Sequence, residues 1–213
     1  DRVKACARSF KYIKDADREY AKMKEEGILG APSMYKALVS AHTTRNRTSQ
    51  ATRVLRDMET AGYHLTPALC RWVLTTAIDQ MDSRSLRQLA DWELKASGHM
   101  DRGTCQAILN VAARKGEADL ALSMWAVMED SGYEPTAEAY EAMIFTLACV
   151  RDDASLAGAL VEMEVKRGLV PSPGLVKVVA EKLATSVKRI DEVYFLLKQM
   201  KQEEEENDGD TPA

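Results

Sequence analysis

Cysteine is scarce and unpaired in this sequence. The four cysteines are Cys6, Cys70, Cys105 and Cys149, and they form no CxxC motif and no close pair. A disulfide scaffold needs a smaller chain with denser cysteines, and a zinc site needs ligands at short spacing. We therefore predict that Cys70 and Cys105 are buried packing residues and that the compartment is reducing.

Long apolar runs are missing as well. No run reaches the 18 or so residues of a membrane span, and the sequence shows no signal peptide with its basic, apolar and small-residue segments. We expect no membrane insertion. Because the first residue is Asp1 rather than methionine, a targeting peptide is not visible in this chain, and we expect upstream sequence to be missing.

The motifs of common enzymes do not occur. GxxxxGK[ST], GxGxxG and GxSxG are all missing, and the three histidines, His42, His64 and His99, have no second metal ligand at a suitable spacing. Neighbouring acids such as Asp152 and Asp153 suit helix ends better than acid-base chemistry. We predict no enzyme activity, no metal, no cofactor and no small-molecule substrate.

What the sequence has instead is an internal repeat of about 35 residues. Two independent series keep this period, which is the signature of a stacked repeat protein. The first series consists of apolar or aromatic anchors: Tyr35, Cys70, Cys105, Tyr140 and Val176. The second series consists of glycines: Gly27, Gly62, Gly98, Gly132 and Gly168.

Each repeat is predicted to be a pair of helices. Apolar residues follow each anchor at i+3, i+4 and i+7, and a second stripe precedes each periodic glycine. The glycines suit left-handed helix C-caps, while Thr66 and Ser172, each followed by proline, suit N-caps. Neither helix can bury its stripe alone, so the pairs must stack.

The segments 116–122 and 128–135, which read GEADLAL and MEDSGYEP, resemble the pentatricopeptide repeat family. The resemblance covers residues 1–202, as five near-complete repeats and the opening of a sixth. It implies an all-α fold, a right-handed α-solenoid of stacked antiparallel helix pairs. Residues 203–213 carry six acids and no base, and we predict a disordered acidic tail there. Without those six acids the repeats hold 29 basic and 27 acidic residues.

The resemblance also implies that the first helix of each pair lines a concave face and that each repeat contacts one RNA base. Two positions dominate such contacts, the residue after the anchor and the last residue of the repeat. The candidate RNA contacts in this sequence are Lys36, Thr66, Arg71, Asp101, Gln106, Thr136, Glu141, Ser172 and Lys177.

These candidates depart from the family pattern, which favours Asn, Ser or Thr at the first position and Asp or Asn at the last. Only Asp101 fits, and we expect it to form an ion pair with Arg71. Helix capping explains Thr66, Thr136 and Ser172 at least as well as base contact does. Base stacking and contact with a neighbouring repeat both remain open for Trp72 and Trp92, which lie off the apolar stripes.

Two functions follow from the resemblance. The first is an RNA-associated repeat protein of an organellar ribonucleoprotein. It would bind single-stranded or ribosomal RNA along the concave face with little base specificity, in RNA maturation or translation. The alternative is an architectural, protein-binding subunit of a mitochondrial or plastid ribosome or another large complex. The expected partners are RNA and other subunits of an organellar complex, and the expected location is a mitochondrion or plastid.

Overall fold

The computed structural model describes residues 3, 13–150, 161, 165 and 167–185, without the side chains of Cys149 and of 182–185. The chain divides into two compact units, Asp1–Thr104 and Cys105–Ala213. The predicted acidic tail, the sixth repeat beyond 185 and the apolar stripe near Leu156 lie outside the described residues. These three therefore stay predictions.

The described part of the first unit is built from helices. They are α1 (Ile13–Glu25), α2 (Pro32–Thr43), α3 (Thr48–Thr60), α4 (Pro67–Asp79) and α5 (Ser83–Ser97). Helix α2 pairs with α3 and α4 pairs with α5, and the second pair packs on the first. Because these pairs share one apolar seam, each buries the stripe that it could not bury alone.

The second unit continues with the same kind of element. Its helices are α6 (Arg102–Lys115), whose first turn precedes the boundary, α7 (Ala118–Asp130), α8 (Ala137–Phe145) and α9 (Pro173–Thr185). Helix α8 runs on into a π-helical segment, Thr146–Val150, and contacts both α7 and α9. Within the described residues, the predicted all-α class of stacked helix pairs is confirmed.

The core is formed by the predicted stripes. All five anchors, Tyr35, Cys70, Cys105, Tyr140 and Val176, are at most 4% exposed. The second-helix stripes around Met58 and Met128 are buried too, whereas Met23 is only half-buried. Burial raises the pKa of the Cys70 thiol to about 12, with smaller contributions from Glu93 and Glu59. This thiol is therefore uncharged at neutral pH, as the predicted packing role requires.

The turns between repeats confirm the predicted glycine caps. Each periodic glycine adopts a positive φ between 68° and 80°. The bond from Tyr133 N–H to the Met128 carbonyl, 2.9 Å long, spans Gly132 and closes the helix end. The turns inside the helix pairs use the same left-handed conformation at Asn46, Met81 and Gly116, where Met81 is the least suited side chain.

Polar side chains link second helices of neighbouring repeats in the first unit. Asp57 on α3 accepts a 2.7 Å hydrogen bond from the hydroxyl of Tyr20 on α1. Trp92 on α5 is buried, and its indole N–H donates to Glu59 on α3 at 2.8 Å. Of the two interpretations left open for Trp92, contact with a neighbouring repeat is therefore confirmed. Trp72 remains 41% exposed on α4.

None of the helices in the described residues combines the length and the apolar character needed to cross a membrane.

His42 is a buried titratable group that links α1 to α2. Its Nε2 lies 3.0 Å from Asp17 Oδ1, while its Nδ1 is buried without a hydrogen-bond partner among the described residues. A neutral ring with its proton on Nε2 satisfies this arrangement, because a second proton on Nδ1 would be a buried donor with no acceptor. Burial is the main cause that lowers the pKa of His42 below 6.5, and Asp17 opposes it.

This lowered pKa predicts that the first unit loses stability as the pH falls below about 6.5. In that range His42 binds a proton in the unfolded chain but stays neutral in the folded chain. The free energy of unfolding therefore decreases as the pH is lowered. Urea denaturation between pH 7.5 and 5.0 should show this fall, and His42→Gln should flatten it. The exposed His64→Gln is the matched control and should keep the wild-type slope; a flat wild-type profile would contradict the assignment.

Candidate functional site

The first series of candidate contacts lies on the first helix of each pair. Lys36, Arg71, Gln106, Glu141 and Lys177 are each the fifth residue of α2, α4, α6, α8 and α9, respectively. The three cationic side chains are exposed, whereas Gln106 and Glu141 are half-buried. This common helical position gives these side chains equivalent places in successive repeats.

The second series lies where the first helices begin, but its members differ in capping. Thr136 accepts a hydrogen bond from the Ala139 backbone N–H at 3.2 Å, so the predicted cap is confirmed there. Thr66 is the N-cap residue of α4 and is followed by Pro67 in the first turn, as predicted, although its side chain makes no capping hydrogen bond. Ser172 directly precedes α9, and its carbonyl accepts from Leu175 N–H at 3.0 Å.

The two candidate positions of one repeat meet in the second unit. The Thr136 hydroxyl donates to Gln106 Oε1 at 2.9 Å, and Gln106 Nε2 donates to Asn110 Oδ1 at 3.1 Å. Gln106 therefore has a fixed orientation, and part of its hydrogen-bonding capacity is already used inside the protein.

The predicted ion pair between Arg71 and Asp101 is wrong. Arg71 instead donates from Nε at 2.9 Å and from Nη2 at 2.6 Å to Oε1 of Glu93 on α5. Asp101 caps α6 by accepting from Thr104 N–H at 2.9 Å and from its hydroxyl at 2.7 Å. The bonds from Thr104 are the main cause that lowers the pKa of Asp101, and the nearby charge of Arg71 adds to the effect.

A groove of about 740 Å³ opens between the first helices of the second unit. Asn110 and Arg114 line it from α6, Glu141 and Phe145 line it from α8, and Ser172 lies at its α9 side. Small or apolar residues complete the wall: Ala113, Ala142, Gly174, Leu175 and Val178. Phe145 is 44% exposed and offers a flat aromatic surface to any ligand in the groove.

Comparison with protein families gives one match. A family model described as pentatricopeptide repeat-containing protein matches residues 102–211, more than half of the chain. The chain belongs to the pentatricopeptide repeat family. No curated protein matches it.

Solved structures of pentatricopeptide repeat proteins are similar to this one. The maize protein PPR10 shares 15% identity over 84% of this chain and 30% of its own, with a TM-score of 0.38. PPR10 in complex with an 18-nt psaJ RNA element shares 18% identity over 96% of this chain and 30% of its own, with a TM-score of 0.44. The pentatricopeptide repeat domain of Arabidopsis thaliana protein-only RNase P 1, in complex with tRNA, shares 16% identity over 86% of this chain and 95% of its own, with a TM-score of 0.48. This chain thus spans less than a third of PPR10.

Nine groove residues of this pentatricopeptide repeat protein were not among the candidates from the sequence, and the polar, charged or aromatic ones are Asn110, Arg114, Glu138 and Phe145. The helical period could have found two of them, because Asn110 lies four residues after Gln106 and Phe145 four residues after Glu141. Among the charged groove residues, Arg114 is outnumbered by Glu138 and Glu141. The groove is therefore suited to stacking and hydrogen bonding more than to attraction of phosphate.

Within the described ranges, no group of three or more His, Cys, Asp or Glu side chains is placed to hold a metal ion.

Proposed function

We propose that this pentatricopeptide repeat protein binds single-stranded RNA through the first helices of its repeats. The groove between α6, α8 and α9 is the observation that carries the proposal. It joins an exposed aromatic ring, Phe145, to amide and hydroxyl groups of Asn110 and Ser172. Unpaired bases stack on such rings and hydrogen-bond to such groups, and each stacked base is worth about 1–3 kcal/mol.

The binding has little base specificity because several polar side chains at the candidate positions are already engaged. Gln106 is bonded to Thr136 and Asn110, and Asp101 is bonded to Thr104. A side chain that is held by the protein has fewer free donors and acceptors for a base edge. Most repeats therefore provide surface and stacking without reading sequence.

Cations on the first helices supply the remaining affinity. Lys36 on α2 and Lys177 on α9 are exposed at equivalent helical positions. Lysines at such places neutralise phosphates and release the counterions bound to the RNA. This release favours binding less at higher salt concentration, so the affinity falls as salt is added. Since the proposal places only these two lysines on phosphates, we expect weak and salt-sensitive binding.

The first experiment measures fluorescence anisotropy of a labelled 12-nt single-stranded RNA at several salt concentrations. The double variant Lys36→Gln/Lys177→Gln should lower the affinity at low salt by about tenfold and reduce the salt slope by about 1.4, the contribution of two phosphate contacts. The charge-matched control, Lys22→Gln/Lys95→Gln, changes two exposed lysines on second helices and should leave binding unchanged. Equal losses in both variants would contradict a first-helix surface.

The proposal includes a setting in an organellar ribonucleoprotein, in RNA maturation or translation. Family membership supports this setting. Imaging of the tagged full-length protein tests the mitochondrial or plastid location. RNA crosslinking in the isolated organelle then shows whether the transcript is messenger or ribosomal.

A second candidate function is an architectural, protein-binding subunit of an organellar complex. The excess of Glu138 and Glu141 over Arg114 favours it, because an acidic groove suits a basic protein segment better than a phosphate backbone. Crosslinking mass spectrometry of the native complex distinguishes the two candidates. Crosslinks from the groove to protein, together with no RNA affinity of the purified chain at low salt, would establish this second function.

A further inference from the structure

Glu93 has an arrangement that the RNA surface alone does not explain. It lies on α5, a second helix, and its side chain is 1% exposed. Its Oε1 accepts both hydrogen bonds from Arg71, and its Oε2 is buried with no partner among the described residues. Arg71 is thus the donor that compensates this buried carboxylate.

The position of Arg71 follows from that dependence. If Arg71 left Glu93 to reach a phosphate, a buried carboxylate would lose its hydrogen bonds, which is costly. The guanidinium therefore stays in place, with its Nε and one N–H of Nη2 occupied. The side chain is still 50% exposed, and both N–H groups of Nη1 and the second N–H of Nη2 remain for a ligand.

The charge around this fork is unfavourable to phosphate. Arg71 carries one positive charge, Glu93 compensates it directly, and Asp101 lies close enough to be influenced by Arg71. Together the three groups sum to a negative charge, so the attraction that a free arginine exerts on a phosphate is lost. The geometry of two parallel N–H donors is kept, and it suits a neutral ligand with two adjacent acceptors.

We propose that Glu93 acts as a positioning residue that turns Arg71 into a guanine-reading side chain, through the paired acceptors O6 and N7 of the base. Arginine makes this bidentate contact with guanine in nucleic acids generally. Adenine and uracil cannot present such a pair, because adenine has an N6 donor beside N7 and uracil has a donor between its carbonyls. Cytosine does have two adjacent acceptors, O2 and N3, so the test compares it with guanine directly. One repeat then selects one base within an otherwise undiscriminating array. The inference rests on the proposed RNA binding.

The test uses wild-type protein and five 12-nt oligouridines that carry one central guanosine, adenosine, inosine, 7-deazaguanosine or cytidine, with oligouridine as reference. Cytidine binding as tightly as guanosine would overturn the assignment to guanine. Guanosine should bind about five- to a hundredfold more tightly than the reference, as expected for one bidentate contact. Inosine keeps O6 and N7 and should retain the gain. Adenosine, and 7-deazaguanosine, which lacks the N7 acceptor, should lose it.

Two variants then separate positioning from structure. Arg71→Lys keeps the charge but has no fork, and it should abolish the guanosine preference while oligouridine still binds. Glu93→Gln keeps the side-chain volume but removes the charge. It should reduce the guanosine preference and make the salt slope steeper, because the released Arg71 can contact phosphate.

The outcomes distinguish this inference from the proposed function. Measurable RNA binding with no guanosine preference, or with a preference that survives 7-deazaguanosine, overturns the role of Glu93 and Arg71 and leaves RNA binding intact. No affinity for any of the oligonucleotides at low salt overturns both. The modified-base comparison needs only wild-type protein, so it decides the question even if a variant fails to fold.

Discussion

Replacing Tyr140 by alanine is expected to lower the free energy of unfolding of the second unit by about 3–5 kcal/mol. Tyr140 is fully buried, and its ring meets that of Trp125 edge-on, with centroids 5.3 Å apart. The Trp125 indole N–H donates to Glu129 at 2.8 Å, which holds the partner ring in place. Removing the tyrosine ring therefore leaves a cavity between α7 and α8 that the fixed tryptophan cannot fill.

Urea denaturation followed by circular dichroism measures this loss. Phe145→Ala is the matched control, since it removes an aromatic ring from the same helix at a position that is 44% exposed. It should cost less than about 1 kcal/mol in stability, yet it should weaken RNA binding through the loss of stacking. If the two variants were equally destabilising, the assignment of Tyr140 to the core and of Phe145 to the groove would be wrong.

Met128→Ala tests the same seam from α7. Met128 is fully buried at the end of the second-helix stripe, one residue before Glu129. We expect a loss of about 2–5 kcal/mol. A loss as small as that of Phe145→Ala would mean that α7 and α8 do not share a packed core.

The helices and their buried faces could be predicted because they depend on local spacing. The anchor Tyr35 and its followers Leu38 and Val39 are all buried on α2, since a helical period leaves them one common face. The left-handed conformation of Gly132 could be predicted as well, because it depends only on the end of the helix directly before it.

The partners of polar side chains could not be predicted in the same way. Arg71 is 22 residues from Glu93, on the partner helix, and 30 residues from Asp101, and spacing alone does not show which carboxylate its guanidinium reaches. Asp101 instead accepts hydrogen bonds from the backbone N–H and the hydroxyl of Thr104, three residues further along the chain. Trp92 was similarly ambiguous, because its burial depends on α3 packing beside α5 and not on the pattern within α5.

The Arg71 and Glu93 pair gives a large expected effect in the first unit. Arg71→Ala should destabilise the first unit by about 2 kcal/mol, because the buried Glu93 carboxylate loses its hydrogen bonds. The cost stays below the ~3–5 kcal/mol of a fully buried pair because Arg71 is half exposed. Arg87→Ala is the matched control, since Arg87 is an exposed arginine on α5, and it should change stability by no more than about 0.5 kcal/mol.

A double variant tests the physical reason. Adding Glu93→Met to Arg71→Ala removes the buried carboxylate and fills its volume with an apolar side chain, so the double variant should recover most of the loss. Recovery means that the penalty of the single variant came from an uncompensated buried charge rather than from lost packing of the arginine stem. If the two losses simply add, Glu93 does not depend on Arg71, and the guanidinium is free to leave it for a phosphate. The stability cycle thus probes, without any RNA, the same restraint on which guanine selection by Arg71 depends.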